Sequence, residues 1–196
     1  MVRSVLVSAR PVIYFSTCSV YSSHRTPYIE HKLEIENLIK SSSSSCMIFR
    51  LPQVVGPVKN TTLVSFFVSR LAANMSISVQ EGARRYLLDV RDVVRTVDMH
   101  MANLDSRSAT VNIAPLYSMS AFEVAETLKV ALGSTSPIEV VPGGDAYAIP
   151  LNDGFETMSP DDPLLSPTYG VSILRKYAPI LAELIKSQGD NDILRS

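Results

Sequence analysis

Apolar residues fall along this chain in short runs separated by polar punctuation. Val12-Ile13-Tyr14-Phe15 runs into Ser16 and Thr17, the pattern of a buried strand ending in hydroxyls. Cys46-Met47-Ile48-Phe49-Arg50-Leu51 is a second such run, and Pro52 to Pro57 turns the chain. Between them, residues 27–40 place Ile29, Leu33, Ile35, Leu38 and Ile39 at helical spacing, with Glu30, Glu34 and Lys40 outward. Strand, helix, strand with apolar strands predicts a parallel βαβ unit.

Further along, 61–74 reads as a helix, and 76–80 and 85–90 as short strands. Residues 91–104 form a helix with Val93, Val94, Val97 and Met101 inward and Asp92 as its N-cap. A strand follows at 110–113. The clearest amphipathic helix is 118–132, where Ser120 and Glu123 make a capping box and Gly133 closes the element. Residues 138–141 are a strand and 142–168, rich in Pro, Gly and Asp, a loop. The last helix, 170–186, packs through Ile173, Leu174, Tyr177, Ile180, Leu181 and Leu184. Residues 1–10 read as a helix tail or short strand, and Ser41 to Ser45 as a solvated stop.

Composition narrows the class. A chain of 196 residues suits one domain with a small appendage, and 46% apolar residues can form a real core. A net charge of −1 gives no electrostatic case for nucleic acid or an anionic membrane. No apolar run is long enough to span a bilayer. Arg10 and Pro11 interrupt the mildly hydrophobic N-terminus and no small-residue cleavage site follows, which argues against a secretory signal; Cys18 and Cys46 form neither a disulfide framework nor a metal motif. The expected compartment is the reducing cytoplasm.

The chemistry centres on Tyr28 and Lys32. Four residues apart on a helix, they share one face, one turn from each other. An ammonium beside a phenol favours the phenolate, so such a phenol can exchange a proton near neutrality. Thr17, at the end of the first strand, adds a hydroxyl.

These residues sit in four ordered motifs. They are Ser16-Thr17-Cys18-Ser19-Val20-Tyr21; Tyr28 to Lys32; Arg50-Leu51-Pro52-Gln53-Val54-Val55-Gly56-Pro57; and Arg85-Tyr86-Leu87-Leu88-Asp89-Val90-Arg91-Asp92-Val93. Together they resemble the extended short-chain dehydrogenases, the NAD-dependent epimerase/dehydratase family that works on nucleotide sugars, over roughly residues 5 to 130. The resemblance implies an α/β fold: a partial Rossmann-like, doubly wound, mostly parallel sheet. Residues 1–58 would form the C-terminal half of that domain. Residues 59–196 would supply the rest of the sheet and a small substrate-binding region.

It also implies NAD or NADP as cofactor, with Tyr28 as acid/base and Thr17 bonding the reacting oxygen. Lys32 would bind the nicotinamide ribose, and Tyr28 and Pro52 would also line the cofactor. Gln53, where the family has Asn, and Arg85, which suits a diphosphate, would hold the nucleotide sugar. Cys18 and Ser19 replace the Asp-Glu pair of sugar dehydratases, which leaves epimerisation or ketone reduction. No Gly-x-x-Gly-x-x-Gly occurs, and that loop is what brings backbone against a pyrophosphate. The chain therefore reads as a truncated family member lacking the first mononucleotide-binding half. The alternative is an inactive homologue serving as a binding or assembly subunit. Either way the strand at 12–16 is expected to present an apolar edge, covered by a second copy or a partner or shielded by residues 1–8.

Overall fold

The computed structural model describes residues 11–42, 45–58, 60, 62–102, 108–150 and 159–193. The calls on residues 1–10, including their shielding role, and parts of those on 41–45 and 142–168 lie outside the described residues. The chain divides into two compact units. One comprises Met1–Pro52, Arg91–Ala114 and Tyr147–Pro160, and the other Gln53–Val90, Pro115–Ala146 and Asp161–Ser196.

The first unit is built on β1 (Val12–Thr17), α1 (Pro27–Ser42) and β2 (Cys46–Leu51). β1 and β2 are parallel, with Val12 opposite Cys46 and Thr17 opposite Leu51, as the apolar strand-helix-strand pattern requires. A third parallel strand, Ala109–Asn112, joins β2 on its other side. Side chains alternate across this sheet. Cys46 and Ile48 pack with Ile39 of α1 on one face. Phe49 points to the other, where His100 of the helix Val90–Ala102 meets its ring edge-on. Helices on both faces of a parallel sheet make this unit α/β and Rossmann-like. A single 3-10 turn, Cys18–Tyr21, leads out of β1, with Thr17 as its cap.

The second unit contains β3 (Gln53–Val55), α2 (Leu63–Ala72), β4 (Ile77–Gln80), β5 (Arg84–Arg85) and β6 (Leu87–Asp89). With α3 (Val90–Ala102) and β7 (Ala109–Asn112) as described above, chain order continues to β8 (Met119–Ser120), α4 (Ala121–Leu132), β9 (Ile138–Val141) and α5 (Tyr169–Ile193). β3 pairs with β6 and β4 with β9, both parallel, while β5 meets β8 antiparallel. The core of this unit includes Val64, Phe67, Leu71, Val124, Leu128, Leu174 and Leu181.

Several expectations change. The strand at 85–90 is two strands interrupted at Tyr86, because its halves pair with different partners. The next helix runs from Val90 to Ala102, so its first turn holds Asp92. Asp92 is paired there with Arg95 and is not an N-cap. Val94 is 56% exposed, because Val93 takes the buried position and the next residue on a helix points about 100° away. Ile180 is also exposed.

Candidate functional site

Thr17, Tyr28, Lys32 and Pro52 belong to the first unit; Gln53 and Arg85 belong to the second. Tyr28 and Lys32 are brought together as their spacing requires. Lys32 Nζ lies 5.8 Å from the Tyr28 ring centroid and 4.9 Å from that of Tyr14. The same ammonium donates to the carbonyl of Phe15 at 3.0 Å. An ammonium carries three N–H groups, so this bond uses only part of its capacity. Tyr28 is 57% exposed, which leaves its phenol open to a ligand.

Thr17 is buried at the end of β1, and its Oγ1 accepts from the backbone N–H of Ser19 at 3.1 Å. A hydroxyl that accepts this way still has its own O–H to donate. Beside it, the Cys18 thiol is fully buried and donates to the Arg50 carbonyl at 3.3 Å. Burial pushes this thiol up to about 12, against the smaller opposing pull of Arg50. It is no acid or base near neutrality.

Gln53 opens β3, where its N–H donates to the Tyr86 carbonyl. Its side-chain Nε2 is buried and has no hydrogen-bond partner among the described residues. Such an orphan donor in a folded protein asks for an explanation. Arg85 is half-buried, and its Nη1 donates to the carbonyls of Arg84 and Asp145 at 2.7 and 3.1 Å. Gly143 and Gly144 are placed by neither motif nor ligand. They follow β9 and lie against Gly82 and Ala83, where Gly143 accepts from Gly82.

One group escaped the sequence reading. Glu36 is 1% exposed and accepts from Ser16 Oγ, Arg50 Nε and Arg50 Nη2. Burial raises its pKa, but the Arg50 guanidinium and the Ser16 hydroxyl outweigh this and hold the carboxyl below its ordinary value. Arg50 also donates to Tyr21 Oη at 2.7 Å, and Tyr21 to Asn112 Oδ1 at 2.9 Å. A signal was present: Glu36 lies seven residues after Ile29 and three before Ile39, on the buried stripe.

In the second unit Asp89 is the buried anion. It accepts from Lys176 and from Tyr177 Oη, and ties β6 to α5. The Asp89 bond holds Lys176 above its ordinary value. Tyr177 is raised by burial first and then by Asp89. Among the described residues no helix is long and apolar enough to cross a membrane, and no cluster of His, Cys, Asp and Glu could hold a metal ion.

The parallel α/β unit and the four motifs now meet a direct comparison. The chain belongs to the NAD-dependent epimerase/dehydratase family, whose model matches residues 5–114. No curated protein matches it significantly in sequence. Its fold is similar to that of a UDP-galactose 4-epimerase, with a TM-score of 0.71 at 17% identity, covering 93% of this chain and 68% of that one. It is similar also to the Bordetella bronchiseptica enzyme WbmH in complex with NAD+, with a TM-score of 0.69 at 20% identity over 88% and 62%. A third is the UDP-N-acetylglucosamine 4-epimerase of Methanobrevibacter ruminantium M1 with UDP-N-acetylmuramic acid, with a TM-score of 0.70 at 18% identity over 89% and 63%. At these identities the likeness is one of fold. The chain spans between 62% and 68% of the length of these structures.

Proposed function

We propose that this chain carries the acid/base and sugar-side residues of an NAD(P)-dependent nucleotide-sugar epimerase or ketoreductase. The observation that carries the reading is Lys32. Its ammonium is held at the end of β1 by the Phe15 carbonyl and stands beside an exposed Tyr28 on the same helix face. When bound, the nicotinamide cofactor supplies the hydride acceptor or donor.

Tyr28 then gives or takes the proton at the reacting oxygen, and Thr17 donates a hydrogen bond to that oxygen. Lys32 binds the ribose with the N–H groups that the Phe15 carbonyl leaves. Gln53 Nε2, buried without a partner, supports a role in binding the sugar nucleotide. Arg85 suits its diphosphate through the nitrogens not engaged by Arg84 and Asp145. The high pKa of Cys18 disfavours the dehydratase variant of the chemistry.

The test is NADH binding to the purified chain by calorimetry, with Tyr28→Phe and Lys32→Ala. We expect the parent to bind and Lys32→Ala to bind at least tenfold more weakly, with Tyr28→Phe close to the parent. No binding by the parent at millimolar NADH would reject an enzyme made of this chain alone.

A second reading, a binding or assembly subunit, is favoured by β1. Among the described residues this strand pairs only with β2, and Ile13 and Phe15 are 42% and 46% exposed. We propose that a second copy or a partner covers this edge.

A further inference from the structure

Glu36 has more side-chain bonds than any residue read as catalytic, yet it reaches no substrate-facing surface. We propose that Glu36 is a positioning residue that sets the register of α1 on β1, and so fixes where Tyr28 and Lys32 stand relative to the end of β1. This rests on the reading of those three as the acid/base site.

Tyr28, Lys32 and Glu36 are each four residues apart, so they form one stripe along α1. Lys32 Nζ takes the carbonyl of Phe15 at 3.0 Å. Glu36 Oε1 takes the hydroxyl of Ser16 at 2.6 Å. Two residues one turn apart on the helix thus grip two consecutive residues of the strand, and Thr17 comes next. The apolar contacts of Ile29 and Ile39 seat the helix on the sheet, and the two polar hooks add directional bonds to named strand residues.

The carboxylate is fixed from its other side as well. Arg50 Nε reaches Oε1 at 3.0 Å and Nη2 reaches Oε2 at 2.6 Å, a two-pronged geometry that fixes orientation. Ser16 pairs with Arg50 and Arg50 with Asn112, one row across β1, β2 and β7. Glu36 joins the first two, and Tyr21 joins the last two. A single row across the sheet is therefore tied to the helix by one side chain. Stability alone does not call for this: a buried pair is often replaced by apolar residues at no loss. In some proteins a buried polar group is kept because it fixes register, and that is the role assigned to Glu36 here.

The test uses the full chain with Glu36→Leu/Arg50→Met, which removes both charges and keeps the volume. The readout is the NMR signal of the Lys32 ε protons, assigned with Lys32→Ala. In the parent these protons lie near the Tyr14 and Tyr28 rings and are displaced by their ring currents. A double variant that melts cooperatively but has lost this displacement supports the proposal. A folded double variant with the Lys32 signal unmoved overturns it. Should the double variant not fold, Ser16→Ala, which deletes only the hydroxyl hook, decides in the same way: a reduced displacement supports and an unchanged one overturns. NADH titration of the same proteins keeps the two readings apart. A parent that binds no NADH, with the ring-current displacement of Lys32 lost in the variants, rejects the catalytic reading and leaves the positioning role standing. A parent that binds NADH, with Lys32 unmoved in the variants, does the reverse.

Discussion

At the scale of the residue, Glu36 shows how burial and pairing compete. Burial favours the neutral acid, while Arg50 and Ser16 favour the carboxylate, and pairing wins. The folded-state pKa lies below the ordinary 4.5, so near that value the unfolded chain binds more protons than the folded one. The stabilisation is fully present above 4.5 and is lost as pH falls through the folded value. We expect denaturant melts of the parent to show this acid loss and Glu36→Leu/Arg50→Met to lack that component. Equal acid dependence in the two would reject the assignment. Glu36→Gln alone leaves the partly buried Arg50 without its anion, and should cost up to about 3 kcal/mol, the low end for a broken buried pair. Tyr28 and Lys32 were legible because helical spacing alone makes them neighbours. Glu36 was not, since its partner Arg50 lies fourteen residues on, across a strand, where helical spacing says nothing. Two opposite charges, each on an apolar stripe, were the clue.

Among the elements, helix α4 was readable in both its caps, though it begins at Ala121 and not at 118. Ser120 caps Glu123 N–H, the Glu123 carboxylate returns to Ser120 N–H, and Gly133 ends the helix at φ 61°. Local rules suffice there because every bond is local. The break at Tyr86 was not readable, because it reflects which distant strands β5 and β6 find. The same contrast separates two glycines. Gly133 has positive φ but nothing within 4 Å of where a Cβ would stand. Gly144 has φ 113°, and its Cβ would fall 2.3 Å from the Ala83 nitrogen. Backbone cannot move aside as a flexible side chain can. Gly133→Ala should therefore cost about 1–2 kcal/mol, the left-handed penalty alone. Gly144→Ala should cost clearly more, since overpacking adds about 1–3 kcal/mol. Chemical denaturation of both variants measures this, and equal costs would contradict the close approach of Gly144 to Ala83.

For the molecule as a whole, the question is what the outer side of β1 meets. A central strand of a doubly wound sheet is apolar on both faces because helices cover both, and β1 has that composition. Yet among the described residues it has β2 on one side only. Backbone groups on that side have no strand partner among the described residues, and beside exposed Ile13 and Phe15 they are a template for another strand. Phe15 is partly committed, since its ring stacks on Phe49 and its carbonyl holds Lys32. Ile13 has neither duty, which makes it the cleaner probe. A lysine at position 13 would put a solvated charge on the edge without touching the Tyr28 and Lys32 arrangement. We expect the parent chain to associate with rising concentration in sedimentation velocity, and Ile13→Lys to sediment as a monomer with its melting temperature within a few degrees of the parent. A parent that stays monomeric throughout would mean that the edge is satisfied within the chain, and the assembly reading would lose the observation that favours it.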